Sequence, residues 1–86
     1  MKHLATPDFW HFYRQLPQEV QRTADKNYRL LAEDLYHPSL PFKKIRDDLW
    51  SVRVGLRYRA LATMQGDDYL WFWIGSHAEY DRLIKD

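Results

Sequence analysis

The 86-residue chain contains no cysteine, so disulfide stapling plays no part in its fold and a thiolate metal site is excluded. Glycine occurs only three times, and no glycine-rich loop of the kind that cradles nucleotide phosphates can be built from it. There is no Gly-x-Ser-x-Gly elbow, which removes one common route to a serine nucleophile. The four histidines, His3, His11, His37 and His77, are scattered without ligand spacing, so no metal and no cofactor are expected. No apolar run approaches the length needed to cross a bilayer, and Met1-Lys2-His3-Leu4-Ala5-Thr6-Pro7-Asp8 lacks the apolar stretch of a signal peptide. A soluble, cytoplasmic protein is expected. A large charge imbalance is missing too: the net charge of +1 does not announce a nucleic-acid binder.

What the chain has is apolar and aromatic mass. Hydrophobic residues make up 45% and aromatics 16%, enough for a single domain, 1–86, with one modest core. The first half reads as two helices. Thr6 is a good N-cap, Pro7 suits the first helical position and Asp8 favours the positive end of the dipole. Phe9, Phe12, Tyr13 and Leu16 follow on one stripe. Pro17 stops that helix and opens a second, running to about Tyr36 and ended by His37-Pro38, whose apolar stripe is Val20, Ala24, Tyr28, Leu31 and Leu35.

In the second half the period changes to two. Phe42 to about Arg46 reads as a weak strand. Trp50, Val52 and Val54 alternate with Ser51, Arg53 and Gly55. Tyr58 to Met64 is a further strand, and Gln65-Gly66-Asp67-Asp68 a turn. Tyr69 to Ile74 is apolar on both faces and belongs inside a covered sheet. Gly75-Ser76 breaks it, and Ser76 caps a short last helix from His77 to about Lys85. Helices followed by strands give an α+β domain: an N-terminal helical hairpin on an antiparallel sheet of three to four strands, with a short C-terminal helix. The expected core is Trp50, Val52, Ala60, Phe72, Ile74, Phe12, Leu31 and Leu35, and the tryptophans are read as core.

Charge is unevenly placed. Lys43, Lys44, Arg46, Arg53, Arg57 and Arg59 fall in one stretch, opposed only by Asp47 and Asp48. Alternation sends Trp50, Val52 and Val54 to the helices and Arg53 to the other face, with Arg59 beside Leu61 and Thr63. Lys44, Arg53 and Arg59 are expected to share that face. Guanidinium groups bind phosphate bidentately. The competing reading is that these arginines neutralise Asp47, Asp48 or Glu79. His77 and Tyr80, at i and i+3 of the last helix, place an imidazole and an aromatic ring just beyond a buried strand. These two serve either chemistry or packing and capping.

The pattern Leu40-Pro41-Phe42-Lys43-Lys44-Ile45, Trp50-Ser51-Val52-Arg53-Val54, Tyr58-Arg59-Ala60-Leu61 and Trp73-Ile74-Gly75-Ser76-His77-Ala78-Glu79-Tyr80 resembles the RelE/ParE toxin superfamily of toxin–antitoxin systems, over nearly the whole chain. The resemblance implies two helices on one face of a small sheet and a cleft for mRNA on the other. It implies a ribosome-dependent mRNA endonuclease that works by attack of a ribose 2′-hydroxyl on the adjacent phosphate, restrained by a cognate antitoxin protein. Carried onto this chain, Arg59, His77 and Tyr80 are the catalytic candidates, and Lys43, Lys44, Arg53 and Arg57 the substrate-binding ones. The superfamily also implies an alternative, a non-catalytic ParE-like gyrase inhibitor or a solitary binding protein of the same fold. The near-neutral charge and the reduced segment Lys2-His3-Leu4-Ala5, where the superfamily has a first strand, are departures from its usual pattern.

Overall fold

A computed structural model describes residues 2–34 and 42–85. The element order is β1 (His3–Ala5), α1 (Pro7–Arg14), α2 (Gln18–Glu33), β2 (Phe42–Arg46), β3 (Leu49–Val54), β4 (Tyr58–Gln65), β5 (Asp68–Ser76) and α3 (His77–Ile84). The five strands form one sheet in the order β1-β5-β4-β3-β2. β1 runs parallel to β5, and the other pairings are antiparallel. The fold is α+β, with five strands where three to four were expected. The extra one is β1, a three-residue edge strand. His3, Leu4 and Ala5 pair with Tyr69, Leu70 and Trp71, so β5 supplies the partner that makes the segment a strand.

The Thr6 hydroxyl accepts the Phe9 amide at 3.1 Å and starts α1 as expected. In the second helix, Asp34 is extended, and its amide closes on the Leu30 carbonyl at 2.8 Å. The helix therefore ends at Glu33, short of the expected Tyr36. Leu35 and the His37-Pro38 stop lie outside the described residues. The Tyr13 hydroxyl donates to Asp25 at 2.8 Å and clasps the two helices together.

Sheet alternation decides the faces. Trp50, Val52 and Val54 of β3, and Tyr58, Ala60, Ala62 and Met64 of β4, turn to the helices, where they meet Leu16, Leu31, Phe9 and Phe12. Ala62 is fully buried and small, which lets the helices approach the centre of the sheet. β5 carries a bulge. Ala62 pairs with Trp71 and Leu61 with Trp73, leaving Phe72 as the extra residue. The bulge changes the phase of the strand. Tyr69, Trp71 and Ile74 face the helices, while Trp73 turns to the opposite side and packs with Leu61 and Tyr80. α3 folds back over that opposite side, so β5 is covered on both faces. Phe72, expected in the core, is only partly buried for this reason. Trp10 also departs from the expected core: it is 45% exposed, edge-on to Phe9 and Tyr13.

Candidate functional site

The site lies on the face away from the helical hairpin, called here the open face. The β3–β4 turn contains Gly55 at φ +65°, a conformation L side chains rarely adopt. The turn sets Arg53 directly opposite Arg59 and Val54 opposite Tyr58. Arg53 and Arg59 therefore share one face, as alternation predicts. Cross-strand like charges repel, and no carboxylate among the described residues pairs with either one. Glu79, a proposed neutraliser, is used elsewhere. It completes a capping box with Ser76 at the start of α3, accepting the Ser76 amide at 3.2 Å while the Ser76 hydroxyl accepts the Glu79 amide at 3.2 Å.

Arg59 is half-buried and held. Its Nη1 donates to the Ser51 hydroxyl at 3.1 Å. Its Cζ lies 4.9 Å from the centre of the Tyr80 ring, within cation–π range. Its Nε is buried without an acceptor among the described residues. Across from Arg59 on β5 is Gly75. A Cβ there would lie 2.5 Å from the Trp73 indole, so glycine is needed for Trp73 to lie over this part of the sheet.

α3 brings the remaining groups. The His77 amide donates to the Arg57 carbonyl at 2.7 Å, fixing the helix start against the β3–β4 connection. The exposed His77 ring lies 5.8 Å from the Tyr80 ring, and its Nδ1 sits 3.1 Å from an Asp81 carboxylate oxygen. In the neutral ring, donation from Nδ1 to Asp81 would put the lone pair on Nε2. Tyr80 itself is 4% exposed. Its ring is the floor beneath Arg59, not an open stacking surface for a base.

The expected cation set is partly rearranged. Lys43 pairs with Ser51 and so lies on the open face, whereas Lys44 pairs with Trp50, whose ring faces the helices. Lys44 thus does not share a face with Arg53 and Arg59. Alternation carries Ile45 to the same face as Lys43, into the cluster under α3, and the register shift between Lys44 and Arg46 sets Arg46 opposite Leu49, with its Nη2 donating to the Ile84 carbonyl at 2.6 Å. Sequence reasoning missed Ser51 and Asp81. Asp81 stands four residues after His77, the spacing that lets helical side chains meet. Ser51 stands diagonal to Arg59 on the same face, within reach of a long side chain.

A groove of about 520 Å³ opens on the other side of the sheet, between α1, α2 and β1. Its lining is mostly apolar and aromatic, with Asp25 and Arg29 as its charged groups. It lacks convergent cations, so the phosphate-binding features belong to the open face and not to this groove.

Comparison with known proteins agrees with this architecture. No curated protein matches the chain in sequence. Among solved structures, the RelB–RelE antitoxin–toxin complex from Methanococcus jannaschii aligns with a TM-score of 0.74 at 16% identity, covering 90% of this chain and 93% of that one. A YoeB/ParE toxin from Agrobacterium tumefaciens aligns at 0.70 and 14% identity, covering 90% and 99%. An archaeal RelE–RelB complex from Pyrococcus horikoshii OT3 aligns at 0.66 and 12%, covering 87% and 92%. At these identities the likeness is one of fold. The ParE-like toxin domain matches residues 18–82, from the first residue of α2 into α3 and across the arginine hairpin, and the chain belongs to that family.

Proposed function

We propose that the chain is the toxin of a toxin–antitoxin pair and acts as a ribosome-dependent mRNA endonuclease. The observation that carries this reading is the Arg53–Arg59 pair, directly opposed and without a carboxylate partner among the described residues, with Arg59 and the ring of the His77–Asp81 couple both against Tyr80. Two arginines set opposite each other on one face favour a shared anion between them, and a phosphodiester is one that guanidiniums bind bidentately. In this reading His77 Nε2 takes the proton from a ribose 2′-hydroxyl. The resulting oxygen attacks the adjacent phosphorus, and Arg59 and Arg53 stabilise the charge that builds on the phosphoryl oxygens. The bond to the 5′-oxygen breaks, leaving a 2′,3′-cyclic phosphate, and the leaving oxygen takes a proton from water. Asp81 fixes the His77 tautomer. Lys43 and Arg57 contact flanking phosphates, and Tyr80 acts by supporting Arg59. The cytoplasm is the compartment where ribosome and mRNA would be met.

A cognate antitoxin is the expected protein partner. Leu4, Trp10 and Tyr28 are large apolar side chains exposed around the groove, a surface that a partner would cover. The alternative is a non-catalytic ParE-like inhibitor of gyrase. It is favoured by the burial of Tyr80 and by the packing of α3 on the open face, which leaves fewer groups free for chemistry.

The test is inducible expression in a bacterium, with primer extension on ribosome-associated transcripts. Discrete cleavage sites that vanish in Arg59→Ala are expected. Growth arrest with intact transcripts and inhibited supercoiling would transfer the assignment to the gyrase reading.

A further inference from the structure

We propose that Ser51 is a positioning residue for Arg59, setting its guanidinium, together with the Tyr80 ring, in the orientation that meets an anion on the open face. As a statement about catalysis this rests on the ribonuclease reading; as a statement about the order of Arg59 it does not.

Ser51 is completely buried, in a cross-strand row otherwise made of Lys43, Leu61 and Trp73. A hydroxyl removed from water is costly unless it is hydrogen-bonded, and packing alone would be served by alanine. The structure supplies the bond: Arg59 Nη1 donates to the Ser51 oxygen at 3.1 Å. Arg59 is thereby constrained in two independent ways. Ser51 holds one edge of the guanidinium, and the Tyr80 ring lies beneath it, 4.9 Å from Cζ. The Nε is buried, so that edge is turned away from solvent. A guanidinium carries five N–H donors. With one Nη1 hydrogen committed to Ser51 and the Nε hydrogen shielded, one Nη1 and two Nη2 hydrogens remain for an anion. A long arginine loses much rotamer freedom when it is ordered. Here both ordering contacts come from the protein itself, which is the condition for an electrostatic contact to act in the transition state without reorganising.

Ser51→Ala keeps the size and removes only the acceptor. The first measurement is NMR of Arg59 side-chain N–H groups in 15N-arginine protein, assigned by their loss in Arg59→Ala. Wild type is expected to show restricted guanidinium rotation with resolved Nη signals, and Ser51→Ala an averaged signal, with backbone amides elsewhere unchanged. Ser51→Thr, which keeps the hydroxyl, should restore the resolved signals. The second measurement is mRNA cleavage on programmed ribosomes. Ser51→Ala is expected to lower kcat roughly tenfold or more with little change in KM, the sign of an interaction used in the transition state. In an Arg59→Ala background it should cost nothing further, because the two residues act as one unit. Unchanged Arg59 signals in Ser51→Ala, or full additivity with Arg59→Ala, would overturn the proposal, and both readouts survive if Ser51→Thr is too crowded to fold. If wild type cleaves nothing, the ribonuclease reading fails, and the catalytic part of this proposal with it. The NMR result then decides by itself whether Ser51 orders Arg59.

Discussion

The chemistry proposed here depends on a few side chains whose settings differ. Arg59 is pinned and half-buried, whereas His77 is exposed and tied only to Asp81. Their replacements should therefore fail differently. Arg59→Ala removes transition-state charge stabilisation and should cost roughly 10²–10³ in cleavage rate, with a small stability loss from the emptied Tyr80 face. His77→Ala removes proton transfer and should cost roughly 10²–10⁴ while leaving the denaturation midpoint nearly unchanged. Equal cleavage by either variant and wild type on programmed ribosomes would defeat these roles. A different histidine links stability to pH. His3 accepts the Trp71 indole N–H at Nδ1 (3.0 Å) and stacks on Tyr69 with ring centres 5.4 Å apart. Burial, opposed by a hydrogen bond to the Leu31 carbonyl and aided by the N-terminal amine, holds its pKa below 6.5. The unfolded chain then binds more protons than the folded one as pH falls below that value. The stability that neutral His3 contributes is present above pH 6.5 and is lost as pH falls through the lowered folded pKa. His3→Gln should flatten this part of the pH profile in denaturant titrations. A variant that tracks wild type across the window would show that His3 is not the group responsible.

At the scale of elements, β5 and α3 form the support of the open face. Trp73 lies between Gly75 and Tyr80, and the capping box at Ser76–Glu79 starts α3 just beyond. Gly75→Ala would drive a methyl into the rigid indole and toward the Glu79 carboxylate, 3.2 Å away, which also serves the cap. A loss of about 1–3 kcal/mol is expected, as for other forced overpacking. Trp73→Ala should cost about 3–5 kcal/mol, and Phe72→Ala, at the half-buried bulge, clearly less. Denaturation giving the reverse order for Trp73 and Phe72 would mean that the strand phase is misjudged. That phase marks the limit of what the sequence discloses. The helical stripes, the Thr6 and Ser76 caps and the Val52–Val54 alternation are local signals, and alternation alone suffices to put Arg53 and Arg59 on one face. The bulge at Phe72 depends on the facing strand, so a two-residue period assigns Phe72 to the core, and the face of Lys44 is set by its pairing with Trp50, which the residues of β2 alone do not specify. β1 is a strand only because β5 pairs with it, and three residues carry too little pattern to say so. The roles of Tyr80 and Ser51 are illegible for a related reason. They come from α3 folding back on the sheet, a tertiary event that the i, i+3 spacing of His77 and Tyr80 does not specify.

Over the whole molecule, the net charge of +1 sets how RNA would be held. Counterion release scales with the phosphates neutralised, and for single strands log K falls against log[salt] with a slope of about −0.7 per phosphate contact. Lys43, Arg53 and Arg59 on the open face, with Arg57 exposed in the β3–β4 turn, are the candidate contacts, while Lys44 faces the helices and Arg46 is engaged with the end of α3. Four contacts predict a slope no steeper than about −3, well below that of strongly basic RNA binders. Free RNA should accordingly be held weakly. The ribosome, by presenting mRNA at a fixed position, would supply the positioning that the toxin's own field does not. The measurement is fluorescence anisotropy of a 2′-O-methyl oligonucleotide, which cannot be cleaved by 2′-hydroxyl attack, titrated over a range of salt. Arg53→Ala and Lys43→Ala should each make the slope shallower by about 0.7. Lys44→Ala should leave it unchanged. A slope that responds to Lys44 but not to Lys43 would relocate the nucleic-acid surface to the helix side of the sheet. A salt-independent affinity would remove the phosphate-binding role altogether and favour the non-catalytic reading of the same fold.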